Sequence, residues 1–298
     1  MSPSPKSANK ANAGGGPAQP RLNAMMACDT AFRVVARRYL GDLRANQKAT
    51  CDGDPGALHQ MRIALTRLRT AILFFSPMVA DNQRSQIRDE LKWLNTRLGT
   101  VRDLDVAIER LKAIDKQAPE APPNYRAWTA KQADSHRGLA RALRSARYRR
   151  LIKSTSDWIE NGPWSMASGK QAGKQRACPI AAYSAEKLSR WQRRLLKKSR
   201  KLLKMDAEER HRLRLLNKKL SYSIEAFEDL SADKRFSQAA AGLKYLRKAQ
   251  RTLGQLNDDA KGRSLAAGGG QATLRFGQKR EKRLLQTATA AYRKLAAL

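Results

Sequence analysis

The chain has 298 residues and carries 60 Lys and Arg against 26 Asp and Glu, a formal net charge of +34. Folding does not require such an excess, and its self-repulsion opposes compaction, so a polyanionic partner is implied: nucleic acid, an acidic membrane surface or inorganic polyphosphate. A hydrophobic content of 41% argues against wholesale disorder, no run of about 18 apolar residues offers a membrane span, and the three cysteines (Cys28, Cys51 and Cys178) lack disulfide or metal-ligand spacing.

The first twenty residues are rich in Ser, Pro, Ala, Asn and Gly and read as a disordered tail. They hold no apolar stretch of the secretory kind, which makes a cytoplasmic location the expectation. From Leu22 onward apolar residues recur at helical spacing, and no alternating strand pattern appears. Helices are expected at 22–46, 55–76, 82–115 with a break near Gly99, 123–160, 180–204, 206–230, 235–265 and 271–297. Asp54-Pro55 reads as an N-cap followed by proline at the first helical position, and Ser76-Pro77 as a stop. Asp206 with Glu209 forms a capping-box pattern. Gly268-Gly269-Gly270 separates the last two helices. The organisation expected is a tail (1–20), a first helical half (21–160), an aperiodic linker (161–179) and a second helical half (180–298), with about four helices in each half.

The two halves repeat each other. His59-Gln-Met-Arg62-Ile-Ala-Leu-Thr66-Arg67-Leu-Arg69 returns as His211-Arg-Leu-Arg214-Leu-Leu-Asn-Lys218-Lys219-Leu-Ser221. Leu98-Gly99-Thr-Val101-Arg102-Asp103 likewise returns as Leu253-Gly254-Gln-Leu256-Asn257-Asp258. The histidines stand 152 positions apart and the Leu-Gly pairs 155 apart, a nearly constant offset that marks an internal duplication.

With His59 at zero and about 100° per residue, Arg62, Thr66 and Arg69 fall near −60°, −20° and −80°, while Leu68, Ile72 and Phe75 fall on the opposite side. Arg214 and Lys218 repeat the polar stripe, and Leu220, Ile224 and Phe227 the apolar one. Arg67 and Lys219 take the shoulder, and neither stripe is expected to carry an acidic residue. A solvated basic face is the plain reading of one such helix. Two copies, each headed by a scarce histidine, point instead to donors converging on one anion, with forked guanidinium groups, mobile ammonium groups and a titratable imidazole. Lys92 and Arg247, each six residues before a Leu-Gly pair, are candidates for the same surface. Asp103 and Asp258 are read as structural residues that cap helices or orient the basic side chains.

These motifs resemble the CHAD family, the conserved-histidine α-helical domain, over the chain from about residue 22 onward. The resemblance rests on the histidine motifs at 59–69 and 211–222 and the Leu-Gly signatures at 98–105 and 253–258. It implies an all-α fold of two four-helix bundles related by a pseudo-two-fold axis, with a basic central groove or pore that binds inorganic polyphosphate. Carried over residue by residue, it assigns His59, Arg62, Arg67, Arg69, Lys92, His211, Arg214, Lys218, Lys219 and Arg247 to the anion. Thr66 and Ser221 stand where further bases would be expected, which leaves the two halves unequal. No Glu-x-Glu-x-Lys motif of an attached triphosphate-processing domain occurs.

The leading reading is therefore a non-catalytic polyphosphate-binding protein, associated with polyphosphate granules, with no metal or cofactor. Oligomeric state is left open. Two alternatives stand beside it. A nucleic-acid binder fits the charge, but aromatics make up only 6% of the chain and none is interleaved with the stripes for base stacking. A polyphosphate-processing or phosphotransfer enzyme would use His59 or His211, yet no P-loop or acidic metal-ligand spacing accompanies them.

Overall fold

Helix formation follows the apolar spacing along the chain, and two aspartates set where the motif-bearing helices begin. The computed structural model describes residues 21–115, 125–167, 169–265 and 271–298. Within them the secondary structure is helical apart from one antiparallel bridge, Ala27 to Pro179. The first helices are α1 (Cys28–Ala45), α2 (Gln47–Cys51), α3 (Pro55–Phe74), α4 (Gln83–Asp115), α5 (Tyr125–Arg144) and α6 (Ala146–Asn161). After a 3-10 turn at Pro163–Ser165 come α7 (Lys170–Ala177), α8 (Ile180–Ser199), α9 (Ala207–Ala226), α10 (Lys234–Leu265) and α11 (Gln271–Ala296). The expected tail at 1–20 and the glycines at 268–270 lie outside the described residues.

Asp54 caps α3, its Oδ1 accepting from the backbone N–H groups of Gly56 and Ala57 at 2.7 and 3.2 Å. Asp206 caps α9 reciprocally: it accepts from the Glu209 N–H at 2.8 Å, and the Glu209 carboxylate accepts from the Asp206 N–H at 3.2 Å. Each arrangement satisfies donors that a helix start leaves without intrahelical partners.

Three boundaries differ from expectation. Helix α4 runs through Gly99 without a break, because the buried neighbours Leu98 and Val101 hold that turn in the core against the roughly 1 kcal/mol cost of a mid-helix glycine. The single helix expected over 123–160 splits at Ser145, whose side chain accepts from the Tyr148 N–H and starts α6 afresh. Helix α1 begins only at Cys28, because the preceding backbone pairs with another segment: Ile180 donates to Met26 O at 2.8 Å, and Cys28 to Cys178 O at 3.0 Å. The aperiodic stretch 161–179 includes α7, which has no buried residue.

Helix α3 packs on α1, α2 and α4, and α5 and α6 pack on α4, while α9 packs on α8 and α10, and α10 on α11. Between these two groups α3 meets α9 directly. The apolar faces expected on both helices are buried: Leu68, Ile72 and Phe75 on one side, Leu220, Ile224 and Phe227 on the other. An aromatic cluster ties the helix ends together, with ring centroids 4.9 Å apart for Phe74–Phe227, 6.0 Å for Phe75–Phe227 and 5.5 Å for Phe74–Trp191. Each such pair adds about 0.5–1.5 kcal/mol beyond its buried area. No helix among the described residues is long and apolar enough to cross a membrane.

Candidate functional site

Arg62, one turn into α3 from His59, does not extend into solvent. Its Nη1 donates to Leu98 O on α4 at 3.3 Å, and burial, with Arg102 nearby, holds its guanidinium below the usual range while Asp103 pulls the other way. It remains charged at neutral pH. The glycine of the Leu-Gly signature explains its position. A methyl group on Gly99 would lie 3.4 Å from Arg62 Nη1, and one on Gly254 would lie 3.9 Å from Arg214 Nε. In both halves, then, the arginine of His-x-x-Arg lies across the Leu-Gly glycine of the next long helix. The expected helix break is instead a notch that seats a guanidinium.

The residue three positions beyond that glycine acts on the histidine differently in the two halves. His211 Nδ1 is 3.3 Å from Asn257 Oδ1. At the matching place in the first half stands Arg102, which faces a different partner. His59 is open to solvent on one side; burial on the other, then the charges of Arg102, Arg62 and Lys218, hold its imidazole below the ordinary value, with Glu109 opposing.

Lys218 joins the halves. It projects from α9, yet its charge acts on His59 of α3, and the charges of Arg214 and Arg62 act on it in turn. Burial, followed by those two arginines, brings its ammonium down to about 8, and its Nζ lies 5.4 Å from the Tyr222 ring centroid. Among the described residues no carboxylate pairs with His59, Arg62, Arg214, Lys218 or Lys219. Arg214 Nε is buried without a hydrogen-bond partner. Unpaired, partly desolvated cations from two helices thus share one neighbourhood, an arrangement that disfavours the empty protein and favours a bound anion.

Glu225 corrects the expectation that both stripes lack acids. At about −40° from His211 by 100° per residue it lies on the α9 stripe, and its carboxylate holds two of the expected anion ligands. Arg67 Nη2 donates to its Oε2 at 2.9 Å, and Arg247 Nη2 and Nε donate to its Oε1 at 3.1 and 3.2 Å. The Arg67 guanidinium also lies 5.4 Å from the Tyr222 ring and 6.0 Å from that of Tyr39. Extending the helical wheel by one further turn would have revealed this residue.

The remaining expected positions are more scattered. Arg69 is half-buried, which lowers its guanidinium, and it has no ion pair among the described residues. Lys92 is exposed on α4, and Lys219 is half-buried on α9. Asp103 is exposed and acts on Arg62 through its charge, while Asp258 is partly buried with a partner of its own. Thr66 bonds within its own helix, its Oγ1 donating to Arg62 O at 2.8 Å, and the Ser221 hydroxyl is buried without a partner.

The third histidine belongs to a different cluster. His136 Nε2 and Gln132 Nε2, both on α5, lie 2.8 and 2.7 Å from Oδ1 of Asp105, a carboxylate only 3% exposed. This contact fastens α5 to the helix carrying the Leu-Gly signature. Among the described residues no three His, Cys, Asp or Glu side chains converge to hold a metal ion.

Comparison with known proteins agrees with this architecture. The family model described as the CHAD domain matches residues 34–267, a stretch that takes in both histidine motifs and both Leu-Gly signatures. The crystal structure of the CHAD domain from the plant Ricinus communis superposes with a TM-score of 0.71 at 26% sequence identity, covering 97% of this chain and 98% of that one. No curated protein matches the chain. Duplicated histidine motifs, an all-helical fold and a family match over most of its length show that the chain belongs to the CHAD domain family.

Proposed function

We propose that this protein binds inorganic polyphosphate without chemically altering it, through a basic groove formed where the two motif helices meet. One observation carries the reading: Lys218 of α9, Arg62 of α3 and His59 of α3 lie within one another's electrostatic reach, partly desolvated, and no carboxylate among the described residues forms an ion pair with any of them, Asp103 and Glu109 acting only through their charge. The matched seating of Arg62 on Gly99 and Arg214 on Gly254 supports two equivalent four-helix halves about a pseudo-two-fold axis. His59, Arg62, Arg214, Lys218 and Lys219 form the centre of the groove, with Arg69 and Lys92 flanking it. The histidines act as donors: His211 is paired with a neutral amide, and among the described residues no carboxylate hydrogen-bonds either imidazole to orient it as a general base. Residence at polyphosphate granules would follow from such binding.

The grip is counterion release reinforced by charge-assisted hydrogen bonds. With about four phosphates neutralised and a slope of about −0.7 per phosphate for a flexible strand, a fourfold rise in salt should weaken binding about 50-fold. Titrating polyphosphate into wild type, Arg62→Ala, Arg214→Ala and the exposed control Lys131→Ala at 50 and 200 mM salt tests the reading. Losses of tenfold or more are expected for the two groove variants and less than twofold for Lys131→Ala. Equal losses in all three, or displacement of polyphosphate by duplex DNA at equal phosphate concentration, would overturn it.

A further inference from the structure

Glu225 stands on the basic stripe of α9 with only 15% of its side chain exposed, and it pairs with two arginines from different helices. Arg67 comes from α3 and Arg247 from α10, so one carboxylate gathers three helices at a single point. Tyr222 links this point to the unpaired cations: Lys218 and Arg67 both lie over its ring, each 5.4 Å from the centroid. Seven residues of helix separate Lys218 from Glu225, about 10 Å along the axis at 1.5 Å per residue.

From this we infer that Glu225 is a specificity-determining residue: its carboxylate takes the place of a phosphate, withholds Arg67 and Arg247 from the ligand, and ends the polyanion path at Tyr222. The inference rests on the polyphosphate reading above and adds a limit to it. A phosphate chain running along α9 meets donors at Arg214 and Lys218 and then two guanidinium groups whose donors are already taken up by a carboxylate. Reaching Arg67 or Arg247 would require the chain to displace a bidentate, partly buried carboxylate whose own charge repels it. The groove therefore grips fewer phosphates than its count of basic residues suggests.

The test is gain of function. Glu225→Gln keeps the shape and an acceptor oxygen but removes the charge, releasing two guanidinium groups. Polyphosphate affinity at 50 mM salt should rise. Two added phosphate contacts steepen the salt slope by about 1.4, so the gain at 50 mM should be about sevenfold larger than at 200 mM. Adding Arg67→Ala to Glu225→Gln should remove about half of the extra slope, and Glu225→Asp, which keeps the charge, should bind as wild type does. Circular dichroism and thermal melts establish that each variant is folded. If Glu225→Gln does not fold, Arg247→Ala in the wild-type background serves instead: a loss below twofold, against tenfold for Arg62→Ala, supports the inference, and equal losses overturn it. Wild-type binding with an unchanged or weaker folded Glu225→Gln overturns the inference while leaving the function intact. Binding seen only after Glu225→Gln overturns the wild-type function and retains Glu225 as the blocking group; binding in neither overturns both.

Discussion

Replacing Lys218 by methionine should make the empty protein more stable and the liganded one weaker. The ammonium is brought from 10.5 to about 8, chiefly by burial and then by Arg214 and Arg62. At about 1.36 kcal/mol per pH unit this amounts to about 3 kcal/mol, of which the solvent reaching one side of the group leaves about 2 kcal/mol. Losing the contact with the Tyr222 ring gives back about 0.5–1 kcal/mol. The net expectation for Lys218→Met at pH 7 is a gain of about 1 kcal/mol, or about 2 °C in Tm for a chain of this length. The sign with pH follows from linkage. Below pH 8 both folded and unfolded states carry the proton and the cost is complete. Between about 8 and 10.5 the unfolded chain binds more protons than the folded one, so wild-type stability rises with pH relative to the variant. The advantage of Lys218→Met should therefore vanish by about pH 9.5. Affinity for polyphosphate should fall about tenfold, the worth of one charge-assisted hydrogen bond. Urea denaturation at pH 7 and 9.5, with polyphosphate titrations at pH 7, reads all three quantities. A variant less stable than wild type at pH 7, with a gap that does not change with pH, would refute the burial argument.

Three other perturbations probe separate parts of the structure. Gly99→Ala should be tolerated and add up to about 1 kcal/mol through helix propensity, since the new methyl group only touches Arg62 at 3.4 Å; Gly99→Leu should dislodge the guanidinium and weaken polyphosphate binding by about tenfold, and equal affinities for the two variants would show that the notch does not position Arg62. Because His59 is held below its ordinary pKa in the empty site, a bound polyanion should raise it and affinity should increase as pH falls from 8 to 6; calorimetry in two buffers of different ionisation heat should show proton uptake that His59→Gln diminishes, and uptake identical in both proteins would exclude the imidazole as a ligand. Asp105→Ala strips the partly buried Nε2 groups of His136 and Gln132 of their acceptor and should cost about 1–2 kcal/mol in chemical denaturation, whereas a loss under 0.5 kcal/mol would mean that these donors find water or another partner.

The sequence by itself determined the helical class, the duplicated motifs and the starts of the two motif helices. Those features are written in local terms: Asp54 and Asp206 cap the backbone that follows them, and Leu68, Phe75, Leu220 and Phe227 recur at the spacing of one helix face. Packing between helices decided the rest, because it brings together residues with no relation along the chain. Gly99 reads as a breaker from its neighbours alone, and only the approach of Arg62 from α3 shows it to be a notch. Arg67 and Arg247 look like free cations until Glu225 is placed between them. Lys218 resembles any basic helix residue until burial and the charge of Arg62 from the other motif helix act on it. Charge type is local, but whether a charge is paired, desolvated or free depends on which helices meet, and that is a property of the tertiary packing.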